Sequence, residues 1–112
     1  MATDKRFVDY VLEQADLGEA LTYKRMFGEY ALYHAGKVTA FACDNRLFIK
    51  PTSASQTLAP RLPQGQPYPG TKMYPIADEL LDDPEALRQL LVATSAVLPL
   101  PKPGKKRKAR GE

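Results

Sequence analysis

From Phe7 onward the apolar residues fall at Phe7, Val8, Val11, Leu12 and Ala15, the spacing that lays one stripe along an α-helix. Thr3 or Asp4 can cap its start and Gly18 suits its end. The pattern predicts a first helix over residues 4–17, with Asp9, Glu13, Gln14 and Asp16 mostly turned to water. The period then changes. Residues 21–52 are rich in β-branched and aromatic side chains and are interrupted at Gly28, at Ala35-Gly36-Lys37 and at Asp44-Asn45, which reads as an antiparallel meander. The predicted strands are residues 22–27, 29–34, 37–43 and 46–50, joined by connections short enough to force sequence neighbours to pair. Asp44 and Asn45 both tolerate positive φ and so suit the two central positions of a tight hairpin turn. In the fourth strand Leu47 and Ile49 alternate with Arg46, Phe48 and Lys50. One sheet face should therefore meet the helices, and the other should be partly wet.

Six prolines, Pro51, Pro60, Pro63, Pro67, Pro69 and Pro75, exclude a central strand from the middle segment. That segment has room for one short helix over residues 53–62 and a short fifth edge strand over residues 72–74. The closing helix is better marked: Asp83 can cap it, Pro84 fits its first position and Glu85 favours its positive end. Its expected apolar face is Leu87, Leu90, Leu91, Thr94, Val97 and Leu98. The predicted fold is α+β: an N-terminal helix, a four-stranded antiparallel meander, a short middle helix, and a C-terminal helix packed on one sheet face.

At 112 residues the chain has room for one domain. Its longest uncharged stretch, residues 89–101, includes Gln89, Thr94 and Ser95 and falls short of the ~20 apolar residues a membrane span needs. The polar start shows no secretory leader, so a cytoplasmic location is expected, and the single Cys43 is consistent with a reducing compartment. The net charge of +3 conceals an asymmetry. Residues 1–101 carry 10 Lys+Arg against 12 Asp+Glu, whereas residues 102–112 carry Lys102, Lys105, Lys106, Arg107, Lys108 and Arg110 against Glu112. We divide the chain accordingly into a folded body, residues 1–101, and a basic tail, residues 102–112, too poor in apolar side chains to fold by itself.

Catalytic chemistry is sparse in this sequence. His34 is the only histidine, which rules out sites built on two. Cys43 sits beside Phe41 and Ala42 in an apolar strand and reads as a small core residue, so a Cys43–His34 dyad is not favoured. Asp78, Glu79, Asp82, Asp83 and Glu85 are explained by helix capping and the helix dipole, without a metal. No glycine-rich phosphate cradle is present. Tyr30 and Tyr33 offer stacking platforms of the kind sheet-based RNA binders use, although such residues are more often core. No cofactor and no metal is expected. The tail could contact nucleic acid through phosphate neutralisation, and exposed apolar sheet surface could form a homodimer interface.

The segment Tyr23-Lys-Arg-Met-Phe-Gly-Glu-Tyr30, followed by Ala31-Leu-Tyr33, the Gly36 hairpin and Arg46-Leu-Phe-Ile-Lys50, resembles the amino-terminal domain of the TfoX/Sxy family. Lys72-Met-Tyr-Pro75 and Leu80-Leu-Asp-Asp83 extend the resemblance over residues 4–98. A glycine common in that family is replaced by Ala31. The resemblance implies a helix, an antiparallel sheet and closing helices. It also implies a link to bacterial competence regulators, whose full-length members carry a second, helical domain and act at promoters with a cyclic-AMP receptor protein. The expectation here is a stand-alone, non-enzymatic regulatory domain with a protein partner in the transcription machinery. Met26, Phe27, Gly28, Tyr30, Gly36, Leu47 and Lys50 match the motif as fold determinants, and Arg25 and Lys50 are its polar contact candidates.

Overall fold

The computed structural model describes residues 3–26 and 28–98. Asp4 caps helix α1 (Lys5–Ala15), its side chain accepting from the Arg6 N–H. The helix ends two residues before its predicted stop, because Asp16 itself takes the left-handed conformation at φ 53° that sequence reasoning gave to Gly18. A short polar side chain makes that conformation accessible to Asp. Gln14, expected in water, is half-buried and donates to the Leu81 carbonyl at 2.6 Å.

The meander follows as β1 (Leu21–Met26), β2 (Glu29–His34), β3 (Lys37–Cys43) and β4 (Arg46–Ile49), in the order β1-β2-β3-β4 and antiparallel throughout. All three of its turns carry residues at positive φ, the first of them Gly28 at 81°. Asp44 and Asn45 lie at 54° and 55°, as their residue types allow, and Ala35 and Gly36 at 55° and 78°. Ala35 gains nothing there, since its Cβ crowds the following carbonyl.

The β2–β3 register slips between Leu32 and Tyr33: Leu32 faces Ala40, but Tyr33 faces Val38. Thr39 is the extra residue of a β-bulge, fully buried, and its carbonyl accepts from the Lys50 N–H at 2.9 Å. The bulge re-phases β3. Ala40 and Ala42 stay on the helix side, while Val38 moves to the opposite face with Tyr33, Phe41 and Cys43.

Helix α2 (Ser53–Leu58) starts at a reciprocal capping box between Thr52 and Ser55 and stops four residues short of prediction, ahead of Pro60. Helix α3 (Pro84–Val97) begins as expected, with Asp83 capping and Pro84 in its first turn. Its buried stripe is Leu87, Leu90, Leu91, Thr94 and Ser95. Val97, the last residue of the helix, is exposed instead. The main core packs α1 and α3 onto Leu21, Tyr30, Leu32, Leu47 and Ile49. Each fully buried Leu there contributes on the order of 1.5–3 kcal/mol.

The opposite sheet face is not left wet where β3 and β4 run. The proline segment folds into a two-stranded ribbon, an unpredicted β5 (Gln64–Gly65) paired with β6 (Tyr74–Pro75), which starts two residues and ends one residue later than the predicted edge strand. It lays Tyr74 and Ile76 over Phe41, Cys43 and Phe48. The Ile76–Phe48 bridge and the Ala77 N–H on the Leu47 carbonyl at 2.8 Å then close the β4 edge. Gly65 permits this approach, since a Cβ there would sit 2.9 Å from Ile76 Cδ1.

Two stability changes follow. Ala35→Asn keeps the turn and relieves its misfit residue, so the unfolding free energy should rise by about 0.5–1 kcal/mol, read as a higher urea midpoint with an unchanged slope. The Thr94 hydroxyl is buried with no hydrogen-bond partner. Thr94→Val should therefore stabilise the fold by roughly 1 kcal/mol, visible as a thermal midpoint several degrees higher.

Candidate functional site

The residues that sequence reasoning singled out are dispersed by the fold. Arg25 is exposed on β1 and Lys50 half-buried just beyond β4, at the two opposite edges of the sheet. They also lie toward opposite strand ends, because β1 closes on Glu29 while Lys50 adjoins Thr39. No single small ligand bridges them. Met26 packs against the second core, Tyr30 and Leu47 lie in the main core, and Gly28 and Gly36 hold turns at φ 81° and 78°. Phe27 and the basic tail residues Lys102, Lys105, Lys106, Arg107, Lys108 and Arg110 lie outside the described residues. Tyr30 and Tyr33 are separated by the pleat: Tyr30 is buried on the helix side, edge-on to Tyr23, and Tyr33 is half-buried on the other face. They do not form one stacking platform.

His34 and Cys43 occupy opposite faces and opposite ends of the sheet. His34 pairs with Lys37 at the start of β3, and Cys43 closes that strand, a separation on the order of 20 Å at strand rise. His34 Nδ1 meets Ser95 Oγ on α3 at 2.6 Å, and that hydroxyl also donates to the Val92 carbonyl at 3.0 Å. One hydroxyl proton given to Val92 leaves Ser95 Oγ accepting from Nδ1–H, which makes His34 a tie between sheet and helix. Beside it, Lys37 Nζ donates to the carbonyls of Ser95 at 2.8 Å and Leu98 at 3.0 Å, a cation at the negative end of α3.

Cys43 is 1% exposed. Burial, followed by the charges of Glu29 and Asp44, pushes its thiol up to about 11. A thiol held neutral in an apolar pocket is a packing group. Burial likewise raises the Tyr74 phenol beside it, with Tyr68 and Cys43 adding smaller effects.

At the β1–β2 and β3–β4 turns the structure assembles a clasp that sequence spacing did not announce. The Thr3 hydroxyl donates to Glu29 Oε1, which also accepts from the Asp44 N–H at 3.1 Å. Thr3 Oγ1 in turn accepts from the Asn45 N–H at 3.2 Å, and Asn45 Oδ1 accepts from the Asp4 N–H at 2.8 Å. Next to the clasp a cleft of about 560 Å³ opens between Glu29, Asp44 and Arg46 and the segment from Gln64 to Pro69. Its floor is Phe48 and Ile76, and Tyr68, 45% exposed, stands beside it. The apolar residues Tyr68, Tyr74 and Ile76 within an otherwise polar proline segment were the available sequence signal for this covering.

Two members of the acidic run are taken up by structure, Asp78 at the β4 edge instead of as a helix cap. Asp78 Oδ1 accepts from the Leu47 N–H at 2.7 Å, and Asp83 caps α3. Among the described residues no group of three or more His, Cys, Asp or Glu side chains is placed to hold a metal, and no helix is long and apolar enough to cross a membrane.

A helix-backed antiparallel meander whose far face is half covered by a proline ribbon defines the class of domain. Residues 13–97 match the family model of the TfoX N-terminal domain, and the chain belongs to that family. It is also similar, at 44% identity over 105 residues, to a Spirochaeta aurantia protein described as an uncharacterized 12.7 kDa protein in the trpE 5′ region. That match covers 94% of this chain and 91% of the relative. No solved structure matches.

The thiol gives a direct check on this site. At pH 8 a thiol at about 11 carries roughly two orders of magnitude less thiolate than a free cysteine near 8.5. A disulfide reagent should therefore label Cys43 at least a hundredfold more slowly in the folded chain than in denaturant. Because the folded value is raised, the associated stability is present below the unfolded value and is lost as pH climbs toward about 11. Cys43→Ser should remove that alkaline decline.

Proposed function

We propose that this protein is a non-enzymatic regulatory domain that acts by contacting another protein. The observation that carries this reading is membership of the TfoX N-terminal domain family over most of the folded body, together with the link to transcription regulators that the resemblance implies. The geometry is consistent with it. The one histidine is tied to a helix, the one thiol is buried in a core, and the charged candidates Arg25 and Lys50 stand on different edges. What remains available for recognition is surface.

A second reading has an observation of its own. The six cations between Lys102 and Arg110 follow a body in which acids outnumber bases, so an accessory role on nucleic acid would rest on the tail. Six neutralised phosphates give a salt slope of about −5 on duplex DNA, with little sequence preference.

One experiment separates the two. Labelled duplex DNA is titrated by anisotropy with the full chain and with a chain whose six tail cations are changed to Gln, at low and physiological salt. In parallel, tagged versions of both are used to isolate a partner, whose affinity is then measured with pure components. The regulatory reading expects a defined protein partner bound equally by both chains and no sequence discrimination on DNA. Sequence-selective DNA binding by the tail-neutralised chain would overturn it.

A further inference from the structure

The sheet has two edges, and the chain treats them differently. The β4 edge is closed by residues 76–77, but no backbone group of β1 bonds outside its ladder with β2 among the described residues beyond the turn that leads into Leu21. The same asymmetry holds on the face away from the helices. The proline ribbon covers the β3–β4 half with Tyr74 and Ile76, whereas on the β1–β2 half Met26 and Tyr33, packed at the margin of that core, remain half-buried. An open edge and an incompletely covered apolar half-face are therefore contiguous.

The charges along that edge select what could cover it. Lys24 and Arg25 are both exposed, point to opposite faces, and have no carboxylate within 4.0 Å among the described residues. Lys24 lies over the Tyr33 ring at 5.9 Å. A second copy is a poor fit, since antiparallel pairing about a two-fold keeps residues of one face opposite each other. Centred on Lys24, the pairing sets that lysine against itself; centred on Tyr23, it gathers four cations into one short ladder without an acid. Like charges at such spacings oppose pairing. Edge lysines ordinarily guard a strand against association, but here they flank incompletely covered apolar surface, which a guard does not require.

We propose that the outer edge of β1 takes an added strand from a partner protein, an extended segment that alternates acidic and apolar residues. Backbone pairing along Leu21–Met26 supplies the register. Apolar side chains on one face of the added strand extend the cover over Met26 and Tyr33, beside Lys24, and its carboxylates, on the other face, meet Arg25. This is the strand-addition mode of peptide recognition, and it rests on the protein-interaction reading given above.

The test uses the full chain and a short synthetic peptide alternating Glu with Val and Tyr, with its Lys counterpart as control. Amide exchange is followed residue by residue. The Glu peptide should slow alternate amides of β1 by at least about tenfold at saturation, and the Lys peptide should not. In a Lys24→Glu/Arg25→Glu chain, whose two changed side chains are exposed and leave the core intact, affinity for the Glu peptide should fall at least about tenfold, while the Lys peptide gains. Unchanged β1 exchange with the Glu peptide, or equal affinities in the two chains, would overturn the proposal. So would concentration-dependent protection of β1 without peptide, accompanied by a dimer in sedimentation, which would make the occupant a second copy. A partner found for the parent chain that binds the charge-reversed chain at full strength overturns the edge assignment alone and leaves the broader reading standing.

Discussion

The extra residue at Thr39 decides how the two sides of this domain are built. Strict alternation back from Ala40 would turn Val38 toward the helices and Lys37 away from them. The bulge reverses both. Val38 joins Tyr33 on the far face, and Lys37, opposite His34, reaches the last carbonyls of α3. Helix α3 is thereby fixed at its C-terminal end by Lys37 and His34 and along its length by Leu87, Leu90 and Leu91. Small residues, Ala40 and Ala42, occupy the helix side of β3, so the helices approach closely there, while Phe41 supplies bulk on the other side. The second core is a consequence: once Phe41, Cys43 and Phe48 share a face, that face cannot stay in water without exposing a contiguous apolar patch.

The order of elements and most strand limits were legible from local chemistry. Asp44-Asn45 and Gly36 announce their turns, and Asp83-Pro84 announces α3, because each depends on backbone preferences of the residues themselves. What sequence reasoning missed depends on long-range packing. The ribbon β5–β6 is two residues per strand, below the length at which alternation can be read, and its stabilising contacts come from Phe41 and Phe48 far away in sequence. The bulge was equally silent, since Lys37-Val-Thr-Ala-Phe alternates acceptably in either phase. Of the candidate site, the separation of Arg25 from Lys50 and of His34 from Cys43 follows from the sheet order once four strands are assigned. The Thr3–Glu29–Asp44–Asn45 clasp does not follow, because its members are polar residues with no periodic mark.

The clasp and the α3 tie lie at opposite ends of the sheet, and together they use polar side chains that could otherwise pass for functional groups. Thr3, Glu29, Asn45 and Asp78 satisfy or are satisfied by turn and edge amides, and Ser95, His34 and Lys37 are spent on one helix terminus. Buried or half-buried backbone groups must be paired, and in a domain this small the pairing draws on much of the polar side-chain supply. The sheet accordingly holds His34 away from Cys43 and Arg25 away from Lys50.

Recognition makes the opposite demand, for surface that is ordered but incompletely covered. A ribbon of four paired residues can shield only part of a four-stranded sheet, and its attachment through Ile76 and Ala77 places it over β3 and β4. The less covered remainder is consequently next to the β1 edge, whose outward backbone groups have no partner among the described residues and where Lys24 and Arg25 have no carboxylate within 4.0 Å among those residues. Position of the ribbon, openness of β1 and charge of its rim are thus one structural fact, set by which strand the proline segment joins. A domain closed at β1 instead would expose Phe48 and bury its cations, so the choice of edge fixes both what the core excludes from water and what the surface can offer a partner.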